Sequence, residues 1–316
     1  MKICLVTLHA TTNYGGVLQS YALQNILENF GEVKILDYRN KFVNKHMQLI
    51  RFGMQPRDAL RIAKDLCRLY SRSRCIKKFK EFINSRMNLH AFNDSQLGDL
   101  VDVFDVFIAG GDQIWNPKIL GEKNEFDDIY LLNFVKDKRK VSYASSIGSY
   151  EVSNGDKLIS ALSSFNYLSL REDDSANSIS KILDREVSHV LDPTLLYDKK
   201  DWISMLNLSN SNTNKNIYIF LYALERDKIF VEAVNSFSEK LGIDVIIVDQ
   251  DPFISFNVTR HYKSASPKLF LSLLLNAELI ITNTFTFYST TQTDYQFLRA
   301  MADHEIVSEV PQRVSE

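Results

Sequence analysis

The segment "KICLVTLHATTNYGGVLQSYALQNI" at the start of the chain constrains the fold more than any other stretch. Ile3, Leu5, Val6 and Leu8 read as a short buried strand. Val17, Leu18, Tyr21, Ala22, Leu23 and Ile26 then recur at helical spacing. Thr11, Thr12 and Asn13 lie between them and can cap a helix, while Gly15 and Gly16 let the backbone turn sharply or lie close to a ligand. A strand, a glycine loop and a helix start favour anions, because unpaired N–H groups point outward there. Taken alone, the segment also reads as an ordinary turn between a strand and a helix.

The same alternation continues along the chain. Strands are expected at Lys2–Thr7, Val33–Tyr38, Asp105–Ala109, Val141–Ala144, Tyr167–Leu170 and Val187–Leu191, and again at Ile217–Tyr222, Asp244–Val248 and Leu279–Thr282, with helical segments between. Strands alternating with helices imply an α/β chain with parallel sheets. The Asn- and Ser-rich stretch "LNLSNSNTNKN", 206–216, interrupts the pattern. It divides the chain into an N-terminal domain, 1–205, and a C-terminal domain, 206–316. Two domains suit 316 residues, and 45% hydrophobic residues supply ample core. No apolar run is long enough to span a bilayer, and Met1-Lys2 leads straight into a strand without a signal-peptide pattern. Cys4, Cys67 and Cys75 form no metal or redox spacing and fit a reducing cytoplasm, and the six histidines form no metal-ligand pair.

Charge is uneven. Residues 39–86 hold 14 Lys and Arg against 3 Asp and Glu, a surplus of +11 in a chain whose net charge is −2. This marks a basic helical insertion at about 39–90, with Ala59, Leu60, Ile62, Ala63, Leu66, Cys67, Leu69 and Tyr70 as an apolar stripe. It reads as a solvated helical insertion, or as a basic amphipathic face for an anionic membrane surface or an anionic glycan carrier. Nucleic acid is the less favoured partner, because no nucleic-acid motif accompanies the charge.

Three segments carry the polar chemistry. In "FDVFIAGGDQIWNP", 104–117, a buried strand ends at Gly110-Gly111 and is followed by Asp112, Gln113, Trp115 and Asn116. Carboxylate, amide and indole at a strand end suit recognition of sugar hydroxyls, although Trp115 could equally anchor a core. "KVSYASSIGSY", 140–150, runs a strand into Ser145, Ser146 and Gly148. "YLSLREDDSA", 167–176, sets Arg171 and Glu172 just past another strand. There Arg171 can clamp a carboxylate or phosphate, or form a surface ion pair with Glu172 or Asp173. Asp192 before Pro193-Thr194 reads as a turn. Neither glycine loop has the G-x-G-x-x-G of a dinucleotide site.

"NYGGVLQSYALQ", "FIAGGDQIWNP", "VSYASSIG", "LSLRE", "VLDPTLL" and "LIITNTF", in this order from the N-terminus to about residue 285, resemble the polysaccharide pyruvyl transferase family. The resemblance implies two Rossmann-like domains facing a cleft, a GT-B-like arrangement. It implies phosphoenolpyruvate as donor and a glycan, free or lipid-linked, as acceptor. The implied product is a pyruvate ketal of a capsule or exopolysaccharide, with phosphate released, and the expected location is the cytoplasm, at the inner face of the membrane. The scheme calls for no metal and no cofactor beyond that donor.

Such a reaction needs cations for the donor's carboxylate and phosphate, an acid for its methylene carbon and a base for the hydroxyls. By this resemblance Arg171 anchors the donor and Asp112, the carboxylate beside Gln113 and Asn116, is the base. Asn13, Tyr14, Gly15, Gly16, Gln19, Gly111, Gln113, Trp115, Asn116, Ser145, Asn283 and Thr284 line the substrate site. Arg171→Ala is expected to abolish donor binding and leave the fold intact. After Asn283 the chain departs from the family. The family's histidine position holds Thr286 and its glycine position holds Phe287. Threonine does not titrate near neutral pH. The C-terminal domain is therefore expected to be incomplete, and the transferase weak or inactive. The competing readings are a GT-B-like glycosyltransferase that uses a nucleotide sugar, and a glycan-binding descendant without turnover.

Overall fold

A computed structural model describes residues 1–50, 62, 63, 65–93, 95, 97–121, 125–208, 217–224, 226–251 and 253–283. The chain divides into two compact units, Met1–Tyr197 and the residues from Asp198 onward.

The first unit is built on a five-stranded parallel sheet of β1 (Lys2–Val6), β2 (Glu32–Leu36), β3 (Leu89–His90), β4 (Val106–Gly110) and β5 (Arg139–Tyr143). Their order is β3-β2-β1-β4-β5. A parallel pair, β6 (Ser169–Leu170) and β7 (Ser188–His189), continues from β5 through the bridges Val141–Tyr167 and Ser145–Leu170. Parallel sheets are covered on both faces, which is why β1 and β4 are apolar runs without polar alternation. Cys4, Val6, Phe107 and Ala109 pack on one face with Trp115, Tyr130 and Phe165. Ile3 and Leu5 alternate to the other face, which α1 (Tyr14–Leu27) covers with buried Val17, Leu18, Ala22 and Leu23.

Helix α2 (Leu69–Arg86) lies in the basic stretch and is part of this core. It buries Cys75, Ile76, Phe79, Phe82 and Ile83, and its aromatic rings meet α1 in the pairs Tyr14–Phe79, 4.9 Å apart, and Tyr21–Phe82, 5.6 Å apart. One face of the insertion is therefore packed, not solvated. Ala59 and Leu60 of the expected stripe lie outside the described residues. Helices α3 (Leu97–Val103), α4 (Pro117–Leu120), α5 (Lys157–Leu162) and α6 (Asp173–Leu183) complete the unit.

The second unit has a four-stranded parallel sheet of β8 (Tyr218–Tyr222), β9 (Asp244–Val248), β10 (Arg260–Tyr262) and β11 (Leu279–Thr282), in the order β10-β9-β8-β11. Its helices are α7 (Lys199–Leu206), α8 (Lys228–Leu241) and α9 (Pro267–Leu275). Helix α7 packs with α9, so the division falls ahead of the 206–216 segment that marks it in the sequence. Among the described residues no helix is long and apolar enough to cross a membrane.

All nine strands expected from the sequence are present, Asp244–Val248 and Leu279–Thr282 with the expected bounds and the other seven shifted or shortened by a few residues. The sequence reading lacks β3 and β10. These short edge strands, Leu89–His90 and Arg260–Tyr262, carry no apolar periodicity.

Candidate active site

The first sheet reverses its winding between β1 and β4. β2 and β3 lie on one side of that point and β5 on the other. In parallel α/β sheets the crevice at the carboxyl ends of the two strands flanking such a reversal is where ligands bind. Both glycine loops open there.

The loop after β1 is held by short-range hydrogen bonds. Asn13, in extended conformation, caps α1 by accepting the Gly15 N–H at 2.9 Å. Gly16 in the first turn lies beside the second loop: a Cβ there would stand 3.5 Å from Asp112 Oδ2. The partial positive charge of the helix start favours a carboxylate at that spot. In the second loop, Gly111 has φ +106°, and a Cβ on it would meet Gln19 Nε2 and Thr7 Oγ1, each at 2.9 Å. Only glycine fits both the dihedral and the space. Gln19 locks the two loops together, its Oε1 accepting the Asp112 N–H at 2.7 Å. Its Nε2 is buried without a hydrogen-bond partner.

Arg171 gathers three carboxylates. Its Nη1 reaches Asp192 Oδ2 at 3.1 Å, Nε reaches Glu172 Oε1 at 3.3 Å, and Nη2 reaches Asp112 Oδ1 at 3.5 Å. The side chain is only 9% exposed, so this is no surface ion pair. Burial disfavours the guanidinium charge, but the charges of Asp112, Asp192 and Glu172 outweigh it and hold the pKa above the usual arginine value. Each carboxylate is itself fixed. Asp192 Oδ1 accepts from the Thr194 N–H at 2.9 Å and from Thr194 Oγ1 at 2.8 Å. The Asp-Pro-Thr turn expected there therefore also orients the arginine. Glu172 Oε1 accepts from Ser146 Oγ at 2.6 Å, while Oε2 is buried without a partner. Ser146 sits just past Ala144, a non-glycine residue in the left-handed region with φ +48°. Among the described residues no group of three or more His, Cys, Asp or Glu is arranged to hold a metal ion.

The structure thus brings Gly16, Gln19, Gly111, Asp112 and Arg171 to one place, with Gly15 beside them. Gln113 and Asn116 bond each other, Asn116 Nδ2 donating to Gln113 Oε1 at 2.6 Å, and Asn116 Oδ1 caps α4 by accepting the Lys118 N–H at 3.0 Å. Asn13 is exposed, whereas Tyr14 is buried against Phe79.

Two expected site residues are corrected. Trp115 is fully buried, donates its Nε1–H to Tyr130 O at 3.0 Å and lies edge-on to Phe165, so it cannot offer a face to a sugar. Ser145 is fully buried and donates its hydroxyl to Ala109 O at 3.0 Å, tying β4 to the next loop. Its neighbour Ser146 is the serine that reaches Glu172. Three carboxylates contact Arg171, so its removal would also leave them without this counter-charge. Asn283 belongs to the second unit, where its Oδ1 accepts the Leu224 N–H at 2.9 Å. Thr284, Thr286 and Phe287 lie outside the described residues.

Sequence reasoning missed a further pair at the same sheet edge. His9 is fully buried after β1, with Nε2 3.1 Å from Asp37 Oδ1 and Nδ1 3.3 Å from Thr7 O. Burial pushes the Asp37 carboxyl up, but hydrogen bonds from His9 and Arg39, with their charges, outweigh it and bring the pKa down to about 2. No metal-type spacing flags this pair, because one partner follows β1 and the other β2.

Comparison with known proteins adds the family. A solved alpha-glucosyltransferase in complex with UDP and a 13-mer DNA is similar at 13% identity over 89% of this chain and 71% of that chain, with a TM-score of 0.52. A heptosyltransferase of E. coli with ADP-2-deoxy-2-fluoro heptose is a looser likeness, at 12% identity over 94% and 87% of the two chains and a TM-score of 0.35. The first likeness, with the two parallel sheets, shows the Rossmann-like, GT-B-like fold class expected from the sequence. No curated protein matches the chain. The sequence profile of the family described as polysaccharide pyruvyl transferase matches residues 13–285, a span that contains the glycine loops, the Asp112 loop and the arginine cluster. The chain belongs to the polysaccharide pyruvyl transferase family.

Proposed function

We propose that the chain transfers the pyruvyl group of phosphoenolpyruvate to two hydroxyls of a glycan, forming a ketal and releasing phosphate. The observation that carries this reading is the buried Arg171 cluster at the carboxyl edge of β1 and β4, within the family match. The enol phosphate takes a proton at its methylene carbon, and C2 becomes cationic. One sugar hydroxyl adds to C2 and loses its proton, and the second then displaces phosphate, which leaves with the other proton. Of the three contacts of Arg171, that to Asp112 is the longest, 3.5 Å against 3.1 and 3.3 Å. Nη2 is therefore the arm offered to an anionic group of the donor. Asp112, released from that contact and seated over the start of α1, is the base for the attacking hydroxyl. Glu172 and Asp192 hold the guanidinium in place meanwhile. The donor is an intracellular metabolite, so the reading assigns the reaction to the cytoplasm. With Thr286 at the expected histidine position, turnover is expected to be slow.

The test is release of phosphate from phosphoenolpyruvate by the purified chain, with and without glycan intermediates of surface polysaccharides. Acceptor-dependent release that Asp112→Asn lowers at least about a hundredfold supports the reading, since general base catalysis contributes that much. Turnover of a nucleotide sugar without phosphate release from phosphoenolpyruvate would replace it with glycosyl transfer.

A further inference from the structure

The basic insertion has a second, unpacked end. Leu66 is 56% exposed, Leu69 39% and Tyr70 74%, and Cys67 between them is exposed as well. None of these is needed to seat α2, whose packed face consists of Cys75, Ile76, Phe79, Phe82 and Ile83. Four apolar side chains at one helix end are a concentrated exposure, whereas scattered single ones are ordinary. Behind this tip α2 is cationic. Arg72, Arg74, Lys77, Lys78, Lys80 and Arg86 face one acid, Glu81, and Arg74, Lys77 and Lys80 are exposed. Arg74 also lies over the Tyr70 ring, 5.6 Å from its centroid, and donates to its hydroxyl at 3.1 Å.

We propose that this end of the insertion, Leu66 to Tyr70 with the lysines and arginines of α2 behind it, docks on an anionic lipid surface. Leucines insert at the boundary of headgroups and acyl chains, tyrosine prefers the same depth, and basic residues meet the anionic headgroups above it. An arginine stacked on the tyrosine keeps its charge at the wet side while covering apolar surface. Nucleic acid would satisfy the charge but leave Leu66 and Leu69 without a partner. Docking of this kind needs nothing of the donor chemistry, so lipid binding and phosphate release succeed or fail separately.

Cys67 makes the test direct, because Cys4 and Cys75 are buried and leave it the accessible thiol. An environment-sensitive dye on Cys67 is read while the protein is mixed with phosphatidylglycerol-rich vesicles or with pure phosphatidylcholine vesicles, and unlabelled protein is sedimented in parallel. Blue-shifted emission and co-sedimentation with the anionic vesicles alone, both lost at high salt, are expected. Removing two charges with Lys77→Gln and Lys80→Gln should weaken binding about thirtyfold, at about one charge's worth of surface attraction each. Leu66→Ser with Tyr70→Ser should abolish the shift. Absence of co-sedimentation at low salt overturns the proposal. So does binding that both variants leave unchanged, or binding to duplex DNA in place of vesicles.

Discussion

The two units begin with the same winding and end it differently. In each, the third, second, first and fourth strands lie side by side, as β3-β2-β1-β4 and as β10-β9-β8-β11, so each has a reversal point between its first and fourth strands. At the first unit's reversal point a buried arginine is shared by three carboxylates, with unpartnered polar atoms of Gln19 and Glu172 close by. At the second unit's reversal point Asn283, after β11, binds the backbone of Leu224, after β8, and closes the strand ends onto each other. Among the described residues of that unit, Arg226 pairs with Asp249 and Asp251. Burial outweighs the attraction of Asp251 and lowers the Arg226 pKa, the reverse of Arg171. Equal topology therefore does not make equal sites. The difference lies in whether the loops spend their polar groups on one another or leave them converging on a charge.

Charge removal should expose the contrast most strongly. Arg171→Ala leaves buried carboxylates without a counter-charge and should cost about 3–5 kcal/mol. Arg226→Ala, in a more exposed cluster, should cost about 1 kcal/mol. The units can be followed separately, since Trp115 lies in the first and Trp202 in the second, and these are the two tryptophans of the chain. Urea unfolding followed by fluorescence in Trp202→Phe and Trp115→Phe backgrounds reads each unit. Equal losses would erase the distinction.

Glycine replacements should give a smaller contrast. Gly148 and Gly242 share left-handed dihedrals, φ +56° and +63°. A Cβ on Gly148 would lie 2.7 Å from both Asn116 Nδ2 and Gln113 Oε1, whereas nothing lies within 4 Å of one on Gly242. Gly242→Ala should cost about 1 kcal/mol, the backbone penalty alone. Gly148→Ala should cost about 2–3 kcal/mol, because the Asn116–Gln113 pair must also shift. Matching midpoints for the two would show that this loop yields freely.

Acid should separate the units least. Asp37 falls from the usual 3.8 to about 2 on folding, so its contribution is complete above pH 3.8 and fades as pH drops toward 2. Because the group is partly exposed, that contribution is about 1 kcal/mol after screening. Asp37→Asn should lower the first unit's stability by about 1 kcal/mol at neutral pH and flatten the acid limb of its stability profile between about pH 4 and 2. A limb as steep as before would assign the acid sensitivity elsewhere.

Much of this was legible in the sequence, and the remainder was not for physical reasons. The strands of both sheets show as apolar runs because parallel sheets are buried on both faces. Gly111, Asp112 and Arg171 could be picked out because each follows closely on such a run, and Gly16 because it opens the helical pattern after one. Trp115 and Ser145 could not be judged. Whether an indole or hydroxyl turns inward depends on the side chain's direction at a loop, and composition does not carry direction. Glu172 read as a mere neighbour of Arg171 because Ser146, which fixes it, lies 26 residues away, and Asp192 read as a turn because Arg171 lies 21 residues away. His9 and Asp37 were silent for the same reason.

The claim at the centre is that Arg171 receives the anionic donor. Calorimetric titration of phosphoenolpyruvate into the chain and into Arg171→Lys tests it without requiring turnover. Lysine keeps a positive charge among the carboxylates but lacks the fork that can hold Asp192 and Glu172 while offering a third arm. Saturable binding by the chain, weakened at least about tenfold in a folded Arg171→Lys protein, is the predicted result. Undiminished affinity in the variant, or no binding of phosphoenolpyruvate to the chain at all, would contradict the account.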